Sequence, residues 1–492
     1  MTNDFAAIGR RVRILSILAL GAASVVLGRA FWVQVVGDPR LERMARRQFQ
    51  GKVLISPRRG SILDRNGEAL AVNVESSSLA ANPGKLRGRR SLVRLLSHAL
   101  DIPAEKISSR LREKREFIWL KRHLAESELN LLKKSRVIAP DGDLPDGLWL
   151  VRESKRVYPH HELAAHVLGD TNVDNEGLEG AELWFNKSLK GRVVSIDTTK
   201  DALGRPTFLD AAAAGSVRDG EPVRLTIDAS LQYSVQQELK GSVERTRSRG
   251  GTAIVMNAVN GEILAMANEP AFDPNLHGAP PAQRRNRAIT DGFEPGSTFK
   301  PVLLASALSS GMKLSDVVWG NHGSFTLQGR TISEAEAHEK FEWISLKKMI
   351  QVSSNVGAAK LALKVGADPF LATIQSLGFG LKSGLGFPGE ISGRVPPRKS
   401  WQPLTLANIG FGQGVLVTPL QMTRAYAAFL NGGWLVEPLL TLDDQPDVKR
   451  AAPKRVFPAA VADQVVKALF RAPLAAPEGR LKSRSQILEA PA

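Results

Sequence analysis

Residues 293–300 read Phe-Glu-Pro-Gly-Ser-Thr-Phe-Lys, and an apolar stretch over residues 301–308 follows them. Gly296 permits a tight turn, so the segment predicts a turn that leads directly into a buried helix. Ser297 and Lys300 are three residues apart, which places both side chains on one face of that helix. A serine hydroxyl needs an adjacent base to act as a nucleophile, and a lysine whose pKa is lowered by burial can supply it. The same pair also fits a helix cap beside a surface cation.

A second polar segment, Ser353-Ser-Asn355, lies between apolar stretches at residues 346–352 and 356–363 that predict helices. A hydroxyl and an amide two residues apart on such a loop can point into one cleft. The hydroxyl of Ser353 could relay a proton to a leaving amine, and the amide of Asn355 could hold a substrate backbone. Alone, the segment also fits a linker or a helix cap. Its position after Ser-x-x-Lys, with mostly helical sequence between, resembles the order found in penicillin-recognising serine enzymes.

The sequence around these segments predicts an α+β fold. Asn260-Gly261 separates residues 252–256 from residues 262–266 and is a strong signal for a β-hairpin, as is Asn66-Gly67. Strands followed by runs of helix through residue 433 indicate helices packed on an antiparallel sheet. The basic, helix-rich residues 85–136 predict a solvated pedestal without catalytic residues.

The N-terminus predicts a membrane anchor. Arginines at positions 10, 11 and 13 precede an apolar run over residues 14–36, which Arg29 interrupts. At ~1.5 Å per residue this run can cross a membrane once, and the preceding arginines place the N-terminus in the cytoplasm. A cleaved signal peptide is the alternative, although no small-x-small site follows cleanly. We therefore expect a cytoplasmic tail (1–13), a transmembrane anchor (14–36), a pedestal (37–225) and a catalytic domain (226–492).

Composition narrows the partners and the chemistry. Lys and Arg outnumber Asp and Glu by 66 to 49, and a net charge of +17 usually indicates a polyanionic neighbour. Because the bulk of the chain is expected beyond the membrane, we expect phospholipid heads and anionic wall polymer rather than nucleic acid. The absence of cysteine excludes disulfides and thiolate catalysis. The histidines and acidic residues show no metal-ligand spacing, so we expect neither a metal nor a cofactor.

Several further motifs follow one another along the chain: Arg59-Gly-Ser-Ile-Leu-Asp-Arg-Asn-Gly67 (the Arg59 motif), Tyr158-Pro with Leu163-Ala-Ala-His-Val-Leu-Gly169, Gly177-Leu-Glu-Gly180, Leu225-Thr-Ile-Asp-Ala-Ser-Leu-Gln232, and Gly412-Gln-Gly414 with Val417-Thr-Pro-Leu-Gln421. By these motifs and their order, the chain from the anchor to about Gly433 resembles the class B penicillin-binding proteins, which combine an anchor, a pedestal and a transpeptidase domain. The juxtamembrane region and the Arg59 motif resemble the division-specific branch of that family more than its elongation branch.

The resemblance implies a peptidoglycan D,D-transpeptidase. Ser297 would attack the penultimate D-Ala carbonyl of a stem pentapeptide, and an amine of a neighbouring stem would resolve the acyl-enzyme. Lys300 would be the base, Ser353 the proton relay and Asn355 a substrate-positioning amide. β-Lactams would be trapped at the same serine. No glycosyltransferase domain fits in the chain, so a membrane-embedded glycan polymerase and division proteins are the implied partners.

The sequence departs from the family at its third motif, a strand with Lys-Thr/Ser-Gly. The nearest match is Lys482-Ser483-Arg484, in which Lys482 and Ser483 are candidate substrate-binding residues and an arginine replaces the glycine. That glycine lets the strand lie close to a substrate. The chain stops at Ala492, before the closing strands and final helix of the fold, so we expect a C-terminally truncated catalytic domain.

Two functions therefore stay open, an active transpeptidase and a catalytically impaired membrane scaffold. A soluble β-lactamase or drug sensor is a weaker alternative, because the pedestal and the Arg59 motif have no role there.

Overall fold

The computed structural model describes residues 2–36, 50–55, 57–86, 90–191, 194–200, 206–209, 218–276, 278–336, 338–442 and 451–470. The predicted Lys482-Ser483-Arg484 motif lies outside the described residues. The chain forms two units, one of residues 1–58 with 191–219 and one of residues 59–190 with 220–492.

The first unit contains the predicted apolar helix. Helix α1 (Thr2–Phe31) continues into a π-helical turn at Trp32–Val36. Residues Arg11–Gln34 form a helical stretch that is long and apolar enough to cross a membrane. The same unit holds an antiparallel sheet of three strands in the order β1-β6-β7: β1 (Gln50–Ile55), β6 (Val194–Lys200) and β7 (Pro206–Leu209).

The second unit begins with the predicted hairpin. Strand β2 (Ile62–Leu63) pairs antiparallel with β3 (Ala69–Ala81), and Gly67 in the turn has φ +90°. The long β3 then lies between β4 (Ile118–Lys121) and β5 (Leu148–Val157), both antiparallel to it. Four helices accompany these strands: α2 (Pro83–Leu86), α3 (Arg90–Leu100), α4 (Ala104–Arg110) and α5 (Glu126–Lys134).

Residues 76–155, hereafter the head, have their own hydrophobic core. The core packs α3–α5 against one face of β3, β4 and β5, and its fully buried members are aliphatic, for example Leu79, Leu96, Leu120 and Leu132. The basic, helix-rich region predicted from sequence is therefore a folded lobe with a strand in it.

A buried ion network joins Arg59, Arg156 and Glu182. Both carboxylate oxygens of Glu182 are paired, one with Arg59 Nε and one with Arg156 Nε, each at 2.6 Å. Arg59 also donates to the backbone oxygen of Glu182 (2.7 Å) and to Asn186 Oδ1 (2.7 Å). All three charged side chains are almost inaccessible to solvent. This network, hereafter the base network, links β5 and the segment before β2 to a group of short helices. These are α6 (Ala165–Leu168), α7 (Gly180–Trp184) and α8 (Asn186–Leu189).

The described part of the region that the sequence predicts to be the catalytic domain (226–492) is α+β, as predicted. Strand β8 (Val223–Arg224) leads to Asp228, which caps α9 (Ala229–Thr246) by accepting a hydrogen bond from Leu231 N at 3.0 Å. The predicted hairpin is present as antiparallel strands β9 (Gly251–Met256) and β10 (Ile263–Glu269). Helix α9 packs on this hairpin. Two short helices follow, α10 (Pro281–Arg284) and α11 (Arg287–Thr290).

The largest core surrounds one helix, α12 (Lys300–Ser309), in which every residue from Lys300 to Leu308 is buried. The surrounding helices are α13 (Leu346–Gln351), α14 (Asn355–Val365), α15 (Ala367–Ser376), α16 (Pro403–Gly410), α17 (Pro419–Leu430) and α18 (Ala459–Leu469). Short strands complete the region: β11 (Val317–Trp319), β12 (Ser324–Leu327), β13 (Arg330–Ser333), β14 (Trp343–Ser345), β15 (Trp434–Leu435) and β16 (Lys454–Arg455).

Candidate active site

Ser297 is exposed in a 3₁₀ turn, Gly296–Phe299, that leads directly into α12. The backbone N–H of Lys300 donates to the carbonyl of Ser297, so the two residues are one 3₁₀ turn apart. Side chains at positions i and i+3 of a 3₁₀ turn eclipse each other. The turn therefore puts the Ser297 hydroxyl and the start of the Lys300 side chain on one face, at the N-terminal end of a helix whose dipole is positive there.

A second loop holds this turn in place. Gly296 N donates to the carbonyl of Gly412 at 3.0 Å. Gly412 has φ +82°, and a Cβ atom there would lie 2.1 Å from the carbonyl oxygen of Gly296. Tyr426 on α17 donates its hydroxyl to the carbonyl of Thr298 at 2.9 Å, which fixes the turn from the other side. Gly412 is thus required for close backbone packing against the serine turn.

Lys300 is buried, with 1% of its surface exposed. Its Nζ donates to the backbone oxygen of Ser353, to Ser353 Oγ (3.1 Å) and to Asn355 Oδ1 (2.9 Å). These partners are all neutral oxygens. Burial lowers the pKa of Lys300 from 10.5 to about 8, against an opposing effect of the negative charges of Glu334 and Glu339.

The segment Ser353-Ser-Asn355 lies between α13 and α14, as predicted. Ser353 has φ +57°, a left-handed conformation that is strained for a residue with a side chain. Ser354 caps α14 by accepting a hydrogen bond from Gly357 N at 2.9 Å. The strained turn points both the carbonyl and the hydroxyl of Ser353 at Lys300, while Asn355 Nδ2 donates to the carbonyl of Ser333 at 3.2 Å.

Glu334, which the sequence did not single out, anchors this segment. Its carboxylate accepts hydrogen bonds from Ser354 Oγ and from Asn355 N, each at 2.5 Å. It therefore binds the two residues that follow Ser353 and fixes the loop that holds Lys300. The sequence offered no signal for this role, because Glu334 is one of several acidic residues in a polar loop after β13 and has no local periodicity.

The structure thus brings Lys300, Ser353 and Asn355 into hydrogen-bond contact and places Ser297 one turn before Lys300. A deprotonated Lys300 amine could accept the proton of the Ser297 hydroxyl, and Ser353 could pass a proton onward through the same contact. The other two candidate site residues, Lys482 and Ser483, lie outside the described residues.

Comparison with known families and proteins identifies the domain types. Residues 251–483 match the penicillin binding protein transpeptidase domain, and residues 54–225 match the penicillin-binding protein dimerisation domain. The chain also superposes on the crystal structure of penicillin binding protein 3 from Mycobacterium tuberculosis complexed with aztreonam. That superposition has a TM-score of 0.61 and 27% identity, and it covers 86% of this chain and 77% of the other.

Two curated relatives extend the match over nearly the whole chain. The chain is 34% identical to the peptidoglycan D,D-transpeptidase FtsI of Escherichia coli, covering 93% of this chain and 76% of that protein. It is 32% identical to the probable peptidoglycan D,D-transpeptidase PenA of Neisseria meningitidis, covering 93% and 77% respectively. With both domains matched in order and a relative above 30% identity over most of its length, the chain belongs to the class B penicillin-binding proteins, serine enzymes that act as peptidoglycan D,D-transpeptidases in bacterial cell wall synthesis.

Proposed function

We propose that the chain cross-links stem peptides through an acyl-enzyme on Ser297, and that β-lactams acylate the same hydroxyl. The observation that carries this proposal is the environment of Lys300. A lysine that is 1% exposed, held by neutral oxygens, has a pKa of about 8 and is partly deprotonated near neutral pH. It lies one 3₁₀ turn from an exposed serine. A buried amine in that position supplies the base that a serine nucleophile requires.

The proposed reaction has two acyl-transfer steps. Ser297 Oγ attacks the penultimate D-Ala carbonyl of a stem pentapeptide, and its proton passes to Lys300 Nζ. The bond to the terminal D-Ala breaks, and the leaving amine receives a proton through Ser353, whose Oγ is 3.1 Å from Lys300 Nζ. An amine of a neighbouring stem then attacks the ester and loses its proton by the same path, which restores the Ser297 hydroxyl.

Asn355 has two roles in this proposal. Without substrate its Oδ1 accepts from Lys300 and its Nδ2 donates to Ser333. A substrate backbone that approaches Ser297 would replace the carbonyl of Ser333 as the acceptor for Asn355 Nδ2, because Ser333 is exposed. Lys482 and Ser483 are proposed as further substrate-binding residues, since the family's third motif contributes a cation and a hydroxyl.

Labelling with a fluorescent penicillin tests the nucleophile. Ser297→Ala should abolish covalent labelling, whereas Ser354→Ala, the matched serine on the neighbouring loop, should still be labelled. Mass spectrometry of the labelled chain should locate the adduct on Ser297. An adduct on any other residue would overturn the assignment.

A catalytically impaired scaffold is the second candidate, and Arg484 is the observation that favours it. In the family's third motif a glycine stands there, and an arginine side chain would obstruct close approach of a substrate. Losing one oxyanion donor of such a strand costs about 2.7–4 kcal/mol of transition-state stabilisation. The test compares penicillin acylation of this chain with a version that carries an intact Lys-Thr-Gly strand and the following segments. Equal rates would exclude impairment.

We further propose that residues 1–13 are cytoplasmic, residues 14–36 cross the inner (plasma) membrane once, and the pedestal (37–225) and transpeptidase domain (226–492) lie outside it. The apolar helix at Arg11–Gln34 and the arginines at its start support this topology. A reporter that is active only outside the membrane should work when joined after Gln50. Activity of a cytoplasm-only reporter at that site would contradict the topology.

We also propose a role in division, with a membrane-embedded glycan polymerase and division proteins as partners. The juxtamembrane region and the motif at residues 59–67, which resemble the division-specific branch of the family, support this role. Depletion of the chain should give filamentous cells, and a fluorescent fusion should concentrate at the division site. Rounded cells with a dispersed fusion would instead indicate a role in elongation.

A further inference from the structure

The head places its aromatic side chains on the face opposite its core. Between residues 76 and 155 the chain has three residues of the Phe, Trp or Tyr type, Phe117, Trp119 and Trp149. None belongs to the head core, whereas their strand neighbours Ile118 and Leu148 do. Because successive side chains of a strand point to opposite faces, Trp119 and Trp149 lie on the outer face of the head sheet. Phe117 directly precedes β4, and its ring contacts both tryptophan rings.

The three rings form one continuous surface, hereafter the aromatic face. Ala80 of the central strand pairs with Trp119 on one side and Trp149 on the other. The rings of Phe117 and Trp149 are nearly parallel, 6.2 Å apart between centroids, and the rings of Phe117 and Trp119 meet edge to face at 5.0 Å. Phe117 is 46% exposed and Trp149 is 40% exposed.

Stability alone does not account for this placement. An aromatic side chain buries about 150–250 Å² when it enters a core, more than the aliphatic residues that fill the head core. The head instead leaves its three largest apolar side chains partly in water. Exposed apolar patches framed by polar groups are typical of binding sites.

Fixed polar groups border the rings. The guanidinium of Arg122 lies 5.1 Å from the centre of the Trp119 ring. It is paired at 2.6 Å with Glu153 and at 2.6 Å with Asp174, and Ser78 donates to Glu153. Burial opposes the charge of Glu153, yet the hydrogen bonds from Arg122 and Ser78 hold the pKa of that carboxyl below its usual value. The border therefore presents oriented donors and acceptors at neutral pH.

We propose that the aromatic face binds the glycan strands of peptidoglycan. A sugar ring has a face of weakly positive C–H groups, which suits the negative face of an aromatic ring, and hydroxyls at its edge that suit paired carboxylates and guanidinium groups. The family acts on peptidoglycan, so glycan strands surround this domain. The head has 17 basic and 10 acidic residues between positions 76 and 155. Strands that carry stem-peptide carboxylates should therefore bind more tightly than bare strands, which the aromatic face binds through the sugars alone. The site is separate from Ser297, and the inference rests on the family assignment and on the proposed location of the pedestal outside the membrane.

The test measures binding of the full-length chain in detergent to purified glycan strands, with and without stem peptides, by calorimetry. Phe117→Ala combined with Trp149→Ala should weaken binding of both forms by ~10-fold or more, because aromatic anchors dominate such sites. Leu131→Ala, an apolar head residue that is 38% exposed on α5, is the matched control and should bind normally. The conservative variant Trp149→Phe, in which Phe117 is unchanged, should keep most of the wild-type affinity.

Hydrogen exchange of the wild-type chain gives a second measurement that needs no variant. Glycan strands should slow exchange at residues 117–122 and 148–153. As a separate control, penicillin labelling of Ser297 should be the same in the wild type and in the variants of the binding experiment. Unchanged exchange at these strands, or equal affinity of the double variant and the wild type, would overturn the proposal. Binding that is absent for strands without stem peptides would overturn it as well. So would a double variant that binds glycan normally but no longer binds a protein partner.

Discussion

Two regions of the molecule bury cations in opposite ways. In the base network, Arg59 and Arg156 share the carboxylate of Glu182, and each guanidinium lies 2.6 Å from one of its oxygens. In the candidate active site, Lys300 is buried to a similar degree, but its hydrogen-bond partners among the described residues are neutral oxygens of Ser353 and Asn355. In the base network, both guanidinium groups lie against one carboxylate. The pocket of Lys300 disfavours the charge, which lowers the pKa of its amine to about 8.

The two pairing arrangements separate stability from reactivity in this fold. A buried, paired ion is costly to disturb but chemically inert. A buried amine without a carboxylate in hydrogen-bond contact can lose its proton near neutral pH. Glu334 is close enough to influence Lys300 electrostatically, yet its two oxygens bind Ser354 and the backbone of Asn355. The acid is therefore used to position the loop, and the lysine is left as a base.

Replacing Lys300 should have the largest effect. In Lys300→Met the rate of penicillin acylation should fall by ~10²–10⁴-fold, the usual contribution of a general base. The thermal midpoint should stay the same or rise, because the variant no longer desolvates an ammonium group. Stopped-flow acylation and thermal unfolding measure the two quantities.

Lys360→Met is the matched control for that variant. Lys360 lies on α14, donates to Asn321 Oδ1 at 3.0 Å and lies 4.9 Å from the centre of the Phe325 ring. Its replacement should leave acylation unchanged. A similar loss of rate in both variants would show that lysine burial, rather than the position of Lys300, governs the reaction.

Replacing Glu182 should give the converse result. Glu182→Gln leaves Arg59 and Arg156 buried without a negative partner, which should reduce the free energy of unfolding by ~3–5 kcal/mol. The acylation rate per folded molecule should not change. Urea unfolding with parallel labelling measures both, and Glu238→Gln on the exposed side of α9 should cost less than ~0.5 kcal/mol. If the Glu182 variant were as stable as the wild type, the base network would not be a stabilising element.

The pH dependence of acylation should report on Lys300 directly. Because the folded pKa lies near 8, below the 10.5 of a free lysine, the neutral amine increases as pH rises through about 8. The acylation rate should therefore increase by about tenfold per pH unit well below the midpoint and reach a plateau above pH 9. By linkage, the unfolded state binds more protons than the folded state between pH 8 and 10.5, so stability should rise with pH over that window. A flat rate profile between pH 6 and 9 would contradict the role of Lys300 as the base.

Replacing Glu334 should have the smallest effect. Glu334→Gln weakens two hydrogen bonds that hold Ser354 and Asn355, so acylation should slow by about tenfold. It also removes a negative charge that favours protonated Lys300, so the midpoint of the pH profile should move below that of the wild type. Glu336→Gln, at an exposed position two residues on, is the control and should change neither quantity. An unshifted midpoint in the Glu334 variant would show that its charge does not reach the lysine.

Local elements of the fold were predictable from the sequence. The hairpins at Asn66-Gly67 and Asn260-Gly261 and the helix that follows Ser297 are all present, because each depends on residues that are neighbours in the chain. The boundaries of the four chain segments, the roles of the site residues and the identity of the third motif remain predictions.

Contacts between distant segments were not predictable. Glu182 follows the quoted motif at residues 177–180 by two positions, yet nothing in that stretch indicated that it would pair with Arg59, 123 residues earlier. Glu334 likewise gave no signal, since its partners lie 20 and 21 residues later on another loop. The aromatic face depends on Trp119 and Trp149 flanking Ala80, a register that only the strand pairing sets.

The family, the anchor helix and the shared turn of the serine and lysine could be assigned from the sequence, because motif order, hydrophobic length and local turn propensity are properties of consecutive residues. Which charges are paired depends on the tertiary structure. Lys300 becomes a candidate base because the core around α12 removes water from it and the strained Ser353 loop presents neutral oxygens to it. Burial and long-range pairing control a pKa through desolvation and nearby charge, and neither quantity exists until distant segments have packed together.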